Sequence, residues 1–138
     1  LQDDFLNLFV WTWSLKDYLK ACFKAKGLSA QDVEDIASGS EALKYVSDIA
    51  NRAKHGTLRE SRSGQYAELV GVGYDAPQQS IAKITVAGPD VTLHVKDPQL
   101  IRIRALVRTK TGQELEALAV LTEAIAIWEG QAIARVAA

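Results

Sequence analysis

The hydropathy pattern of this chain changes period twice. Up to about residue 56, apolar residues recur every three or four positions; from about 65 they alternate; from 118 the helical spacing returns. A sequence that switches from a period near 3.6 to one of 2 and back is neither all-helical nor all-β. The expected fold class is α+β: three helices (two long, one short) plus a C-terminal helix counted among the long ones, packed on a small antiparallel sheet. One domain is expected over 1–138, helical over 1–56, antiparallel strands over 65–117 and a closing helix over 118–136. A chain of 138 residues suits a single domain. It buries roughly two-thirds of its unfolded surface and needs no covalent staple. Its single cysteine, Cys22, has no partner for an internal disulfide.

The first helix is expected from Asp4 to Lys26. Leu8, Trp11, Leu15, Tyr18, Leu19 and Cys22 share a face that Phe5, Phe9 and Phe23 widen, and this face is expected in the core, Cys22 included. Lys16, Lys20 and Lys24 form a solvated stripe. Gly27 suits a left-handed terminator. Ser29 and Asp32 resemble an N-terminal cap for a short helix through about Ala37. The Ser38-Gly39-Ser40 break starts a third helix whose apolar side is Leu43, Val46, Ala50 and Ala53, ending near Gly56. The polar stretch Thr57–Gly64 is expected to be an exposed, mobile loop.

Tyr66–Tyr74 is a plausible strand in which Gly71 and Gly73 mark a bulge or tight packing. Ala82, Ile84 and Val86, then Val91, Leu93 and Val95, then Ile101, Ile103 and Ala105 alternate with polar residues, as in half-buried antiparallel strands. At Thr111–Glu114 a capping box competes with a hairpin. The hairpin is preferred, making Glu114–Ala117 a short last strand. Leu118, Leu121, Ile125, Trp128 and Ala132 then define the closing helix. The first, third and last helices are expected to share a core containing Leu15, Leu19, Val46, Ile125 and Trp128.

The net charge of −1 is unevenly spread: residues 51–62 carry +3 and 81–110 carry +4, while both ends are acidic. Such a pattern fits either an anionic partner or a basic sheet facing acidic helices. No apolar run reaches the ~18 residues of a membrane span. The acidic start Leu1-Gln2-Asp3-Asp4 is unlike a secretory leader. A cytoplasmic protein without a membrane partner is expected, and no cofactor. Nucleotide-binding glycine loops, a nucleophile elbow and zinc spacing are all absent from the sequence. The Asp32, Glu34 and Asp35 cluster suits a helix N-terminus better than a metal.

The densest chemistry lies in Ser47-Asp48-Ile49-Ala50-Asn51-Arg52-Ala53-Lys54-His55-Gly56. On a helix, Asp48, Arg52 and His55 fall at offsets of four and seven, on roughly one face, with Asn51 adjacent to His55. Arg52 can stabilise a phosphate-centred transition state and His55 can move a proton near neutral pH. Those are the two services of a metal-independent ribonuclease, with Asp48, Asn51, Arg52 and His55 as the catalytic candidates. The structural alternative is a cationic helix end, with His55 holding a structural hydrogen bond. A second cationic set, Lys54, Arg59, Arg62, Arg102 and Arg104, is a candidate nucleic-acid surface, which Lys83, His94 and Lys96 extend.

The segment Asp48-Ile49-Ala50-Asn51-Arg52-Ala53-Lys54-His55, after a helix bearing Trp11-Thr12-Trp13, resembles a group of bacterial and phage proteins. These place Asp-x-Ala-Asn-x-x-Lys-His at a helix end, followed by a small sheet and a closing helix with Ala-x-x-x-Trp, matched here at Trp128. That group implies no activity. The signature is also reminiscent of HEPN domains, helical modules that include ribonuclease toxins. Their motif sets His four to six residues beyond Arg; here only two residues separate Arg52 from His55.

Three function classes follow, in this order: a non-catalytic binding or assembly module, an HEPN-like ribonuclease or degenerate relative, and a nucleic-acid-binding regulator. A homodimer is expected through the first helix, because Phe5, Phe9, Trp11 and Trp13 give it more apolar surface than one face needs.

Overall fold

A computed structural model describes residues 1–138. Three helices open the chain: α1 (Gln2–Ala25), α2 (Ala30–Ser38) and α3 (Glu41–His55). Their ends follow local chemistry. The Ser29 and Ser40 hydroxyls accept from the N–H groups of Gln31 and Leu43, capping α2 and α3. Gly56 closes α3 in the left-handed region, at φ 73°.

Five strands follow: β1 (Glu68–Asp75), β2 (Ile81–Ala87), β3 (Asp90–Val95), β4 (Arg102–Arg108) and β5 (Glu114–Glu116). They form two antiparallel sheets. One has the order β1-β4-β5; the other is β2 paired with β3 alone. Helix α4 (Ala117–Ile127) then runs through a π-helical stretch, Trp128–Ile133, into a last turn, Ala134–Ala137. The fold is α+β, as the change of period implies. The hairpin reading of 110–117 holds, with β5 ending one residue before α4. Register slips between Val70 and Gly73, so the glycines do mark a bulge.

The core lies between α1, α3, α4 and the three-stranded β1-β4-β5 sheet, the body sheet. Phe5, Phe9, Leu19, Phe23, Leu43, Val46, Ile49, Val107, Leu121 and Trp128 are buried in it. Trp128 is fully enclosed, and its indole N–H donates to the Thr12 carbonyl at 3.0 Å, tying the closing helix to α1. Leu19, Val46 and Trp128 are core residues as expected. Leu15 only packs against the rim, and Ile125 is exposed.

Helix α1 is turned away from its expected orientation. The inward stripe is Phe5, Phe9, Thr12, Leu19 and Phe23 with Trp13. Leu8, Trp11, Tyr18 and Cys22, expected in the core, face solvent. Both stripes are apolar, and the phenylalanine stripe wins because three large rings fill the gap beneath α3 and α4. Lys16 and Lys20, expected in a solvated stripe, are instead paired with α2.

The second departure is the β2–β3 hairpin. Chain leaves the body sheet through a 3₁₀ turn at Gln78–Ser80, forms the hairpin, and returns through another at Pro98–Leu100 into β4. The hairpin is therefore a two-stranded arm, not part of the packed sheet. With seven residues in β2 it is about 23 Å long. Every residue from Ala82 to Lys96 is exposed, so these strands are not half-buried. The closing helix is long and apolar enough to cross a membrane, but Ala117, Val120, Leu121, Ala124, Trp128 and Ala132 put one face of it in the core.

Candidate functional site

The end of α3 separates the four residues that sequence spacing grouped. Asp48 is fully buried. Its Oδ2 accepts from the Ser61 hydroxyl at 2.7 Å, from the Ser63 hydroxyl and from the Ala67 N–H at 3.1 Å; its Oδ1 accepts from the Arg62 N–H at 2.9 Å. A carboxylate so engaged is an anchor for the chain that follows α3. The Thr57–Gly64 stretch, expected to be a mobile loop, is tied down at its second half by this one side chain. Tyr66 beside it is held at φ 48°, unusual for a non-glycine residue, with its N–H on the Ser61 hydroxyl.

Asn51 and His55 line an open cleft of about 570 Å³ with Thr57, Leu58, Arg59 and Glu60. The His55 ring is exposed and has no hydrogen-bond partner within the chain, so it is not the structural hydrogen-bonding group that the alternative reading required. Asn51 donates to the Ser47 hydroxyl at 3.3 Å. Arg52 lines a different depression, with Gln2, Leu6, Ile49, Ala53, Glu68 and Leu69. Its Nη2 donates to the Tyr66 carbonyl at 3.4 Å, and its Nε is buried without a partner. Arg52 and His55 thus open onto separate clefts, although they are three residues apart.

The cationic candidates also disperse. Lys54 is exposed beside Asp3 and Asn7. Arg59 shares the His55 cleft. Arg62 is committed: Nη1 reaches Glu34 at 3.3 Å and the Ser38 hydroxyl at 3.4 Å, and its guanidinium lies 4.9 Å from the Trp13 ring centre. Lys16 sits 4.7 Å from the same ring, so two cations lie near Trp13. Arg102 donates to the Gln99 carbonyl at 2.7 Å, and Arg104 pairs with Asp75 at 3.6 Å. Lys83 and His94 stand on the arm, a separate sheet. The Thr85 hydroxyl meets the His94 Nε2 at 3.1 Å across that arm.

Glu34 is the polar hub that sequence reading passed over as helix-end solvation. Lys16 (3.1 Å), Lys20 and Arg62 converge on its carboxylate. Burial by itself would raise its pKa, but the hydrogen bonds and charges of Lys20 and Lys16 outweigh burial and hold the carboxyl at about 2. The lysines of α1 at four-residue spacing and an acid on α2 were the available signal. No group of three or more His, Cys, Asp or Glu side chains is placed to hold a metal ion.

One unpartnered feature of the helical body is apolar. Leu8, Trp11, Leu15 and Tyr18 follow one another at three- and four-residue steps along the outside of α1. Trp11 is 75% exposed and Tyr18 71%. With Val10 and Ser14, three of them line a groove of about 440 Å³. Leu1, Leu8, Leu15 and Cys22 keep strict seven-residue spacing, as Asp4, Trp11 and Tyr18 do, which is the repeat of a coiled-coil seam. That repeat was legible in the sequence but was assigned to the core. Comparison with family models, curated proteins and solved structures returned no match to this chain.

Proposed function

We propose that this protein is a non-catalytic assembly module that self-associates through the outer seam of α1. The observation that carries this reading is the pair Trp11 and Tyr18, both more than two-thirds exposed on a seven-residue repeat. Tyr and Trp are the side chains that dominate binding energy at protein interfaces. Monomeric proteins seldom expose a contiguous apolar patch of this kind without using it. Of the four aromatics first assigned to a dimer contact, only Trp11 is exposed; Phe5, Phe9 and Trp13 are buried. The seam itself is Leu8, Trp11, Leu15 and Tyr18. Sedimentation velocity over a range of concentrations tests the reading. The wild type sediments as a dimer, and Trp11→Glu as a folded monomer. A wild type that stays monomeric at its highest soluble concentration removes it.

The His55 cleft supports a second reading, an anion-binding site for RNA or a nucleotide. Its carrying observation is that His55, Asn51 and Arg59 line one open polar cleft. Catalysis of the HEPN type draws less support, since Arg52 opens elsewhere and Asp48 is spent on the 61–67 segment. Purified protein incubated with RNA and a chelator tests this reading. Cleavage that His55→Ala abolishes speaks for catalysis; salt-sensitive binding without cleavage speaks for a binding site.

A further inference from the structure

The β2–β3 arm is the second unpartnered apolar surface of the molecule. Cross-strand pairing sets Ile84 against Leu93 and Val86 against Val91, so these four side chains share one face. They are 58%, 51%, 67% and 65% exposed. Lys83, Thr85, Thr92 and His94 occupy the other face. Both outer edges of the arm lack a strand partner. A two-stranded hairpin by itself is marginal in water, and an apolar face with open edges is a template for association. Such an arm is a surface open to association.

Resting on the assembly reading above, we infer that the arm of each copy packs its Ile84–Val86–Val91–Leu93 face across the α1 seam of a second copy, reciprocally about a two-fold axis. Two observations favour this occupant. The first is area. Trp11 and Tyr18 expose roughly 300 Å² between them, taking about 150–250 Å² for a whole aromatic side chain. The four aliphatic residues of the arm add roughly 250 Å², at about 100 Å² for a whole side chain. A stable interface buries about 800 Å² per partner. Seam on seam or arm on arm uses only one of these patches and leaves the other wet. A reciprocal arm-on-seam dimer buries both on each copy, and polar rims supply the remainder.

The second observation is shape. The arm is a narrow ribbon, whereas the seam is a groove bounded by Val10, Trp11, Leu15 and Tyr18. A helix laid on a sheet face is one of the standard layered solutions for burying apolar surface.

A mixing experiment separates the alternatives. Trp11→Glu disables the seam and leaves the arm. Val86→Lys with Val91→Glu disables the arm face while keeping a cross-strand charge pair that preserves the hairpin. All substituted positions are exposed, and circular dichroism verifies that both variants fold. Two readouts are used, sedimentation mass and tryptophan emission; Trp13 and Trp128 are buried, so a shift in emission on association reports Trp11. Wild type is expected as a dimer with blue-shifted emission, and each variant as a monomer. The equimolar mixture is expected to regain a heterodimer, weaker than wild type, because one arm-on-seam contact survives. An arm variant that dimerises like wild type means seam on seam, and overturns this inference alone. A seam variant that dimerises means arm on arm, and overturns both this inference and the seam reading. Two monomeric variants whose mixture changes neither mass nor emission also overturn it. A monomeric wild type removes the assembly reading itself.

Discussion

The buried carboxylate of Asp48 accepts the backbone N–H of Ala67 at 3.1 Å, across nineteen residues of sequence. This bond, with those from Ser61, Arg62 and Ser63, makes one side chain of α3 the organising centre of the segment leading into β1. Replacing Asp48 with Ala strands the buried Ala67 N–H, the Arg62 N–H and two hydroxyls. Each unsatisfied buried group costs about 1–3 kcal/mol, and water entering the gap recovers part of that. Asp48→Ala is expected to destabilise the fold by about 3–5 kcal/mol in urea unfolding, and to remove amide exchange protection at Arg62 and Ala67. Loss of stability below about 1 kcal/mol would sink the anchoring role.

Glu34 makes stability depend on acid. Its carboxyl is lowered from 4.5 to about 2 in the folded protein. A carboxylate with a depressed folded pKa binds protons more readily when unfolded, so its contribution is present above the unfolded value and lost as pH falls toward the folded one. The window is therefore about pH 5 to 2. A shift of this size corresponds to about 3 kcal/mol, and partial exposure of the carboxylate (21%) reduces it to about 2 kcal/mol. Thermal midpoints measured from pH 7 to pH 2 should fall more steeply for wild type than for Glu34→Gln. Parallel curves for the two proteins would refute the assignment.

Trp128 ties the chain's last helix to its first. Trp128→Phe keeps most of the ring but removes the indole donor to the Thr12 carbonyl, which keeps its place in the α1 ladder, for a loss of about 0.5–1.5 kcal/mol. Trp128→Ala adds a cavity and is expected to cost about 3–5 kcal/mol. Chemical denaturation of the two variants should place them in that order.

Much of the fold was readable because its determinants are local. Ser29, Ser40 and Gly56 mark helix ends by chemistry that acts over three or four residues, and Gly71 and Gly73 mark the bulge in the same way. Which stripe of α1 faces inward was not readable. Phe5–Phe9–Phe23 and Leu8–Trp11–Leu15–Tyr18 are both apolar, and only the volume between α3 and α4 chooses between them. The arm escaped for a related reason. Alternation over 81–95 specifies a two-faced strand pair, but not whether the cover for its apolar face lies in the same chain. At the candidate site, helical spacing put Asp48, Arg52 and His55 near one face. It could not show that Ser61, Ser63 and Ala67, contributed by later chain, draw Asp48 inward, or that the Tyr66 carbonyl holds Arg52 away from His55. Long-range partners decide those orientations, and periodicity carries no information about them.

His55 stands apart from this framework. Its ring is exposed, and no hydrogen bond within the chain depends on it. Its one tie to the fold is its place in the last turn of α3, where a helix-end interaction contributes about 0.3–1 kcal/mol and is screened by salt. His55→Ala is therefore expected to change stability by less than about 1 kcal/mol at neutral pH, and by still less at high salt. Asn51 and Arg59 should keep the cleft open without it. Any larger effect on a ligand than on stability then belongs to the cleft itself. Loss of RNA binding in His55→Ala at unchanged melting temperature would support the anion-site reading. A melting temperature that drops as far as it does in Asp48→Ala would instead make His55 part of the scaffold, contrary to its exposure.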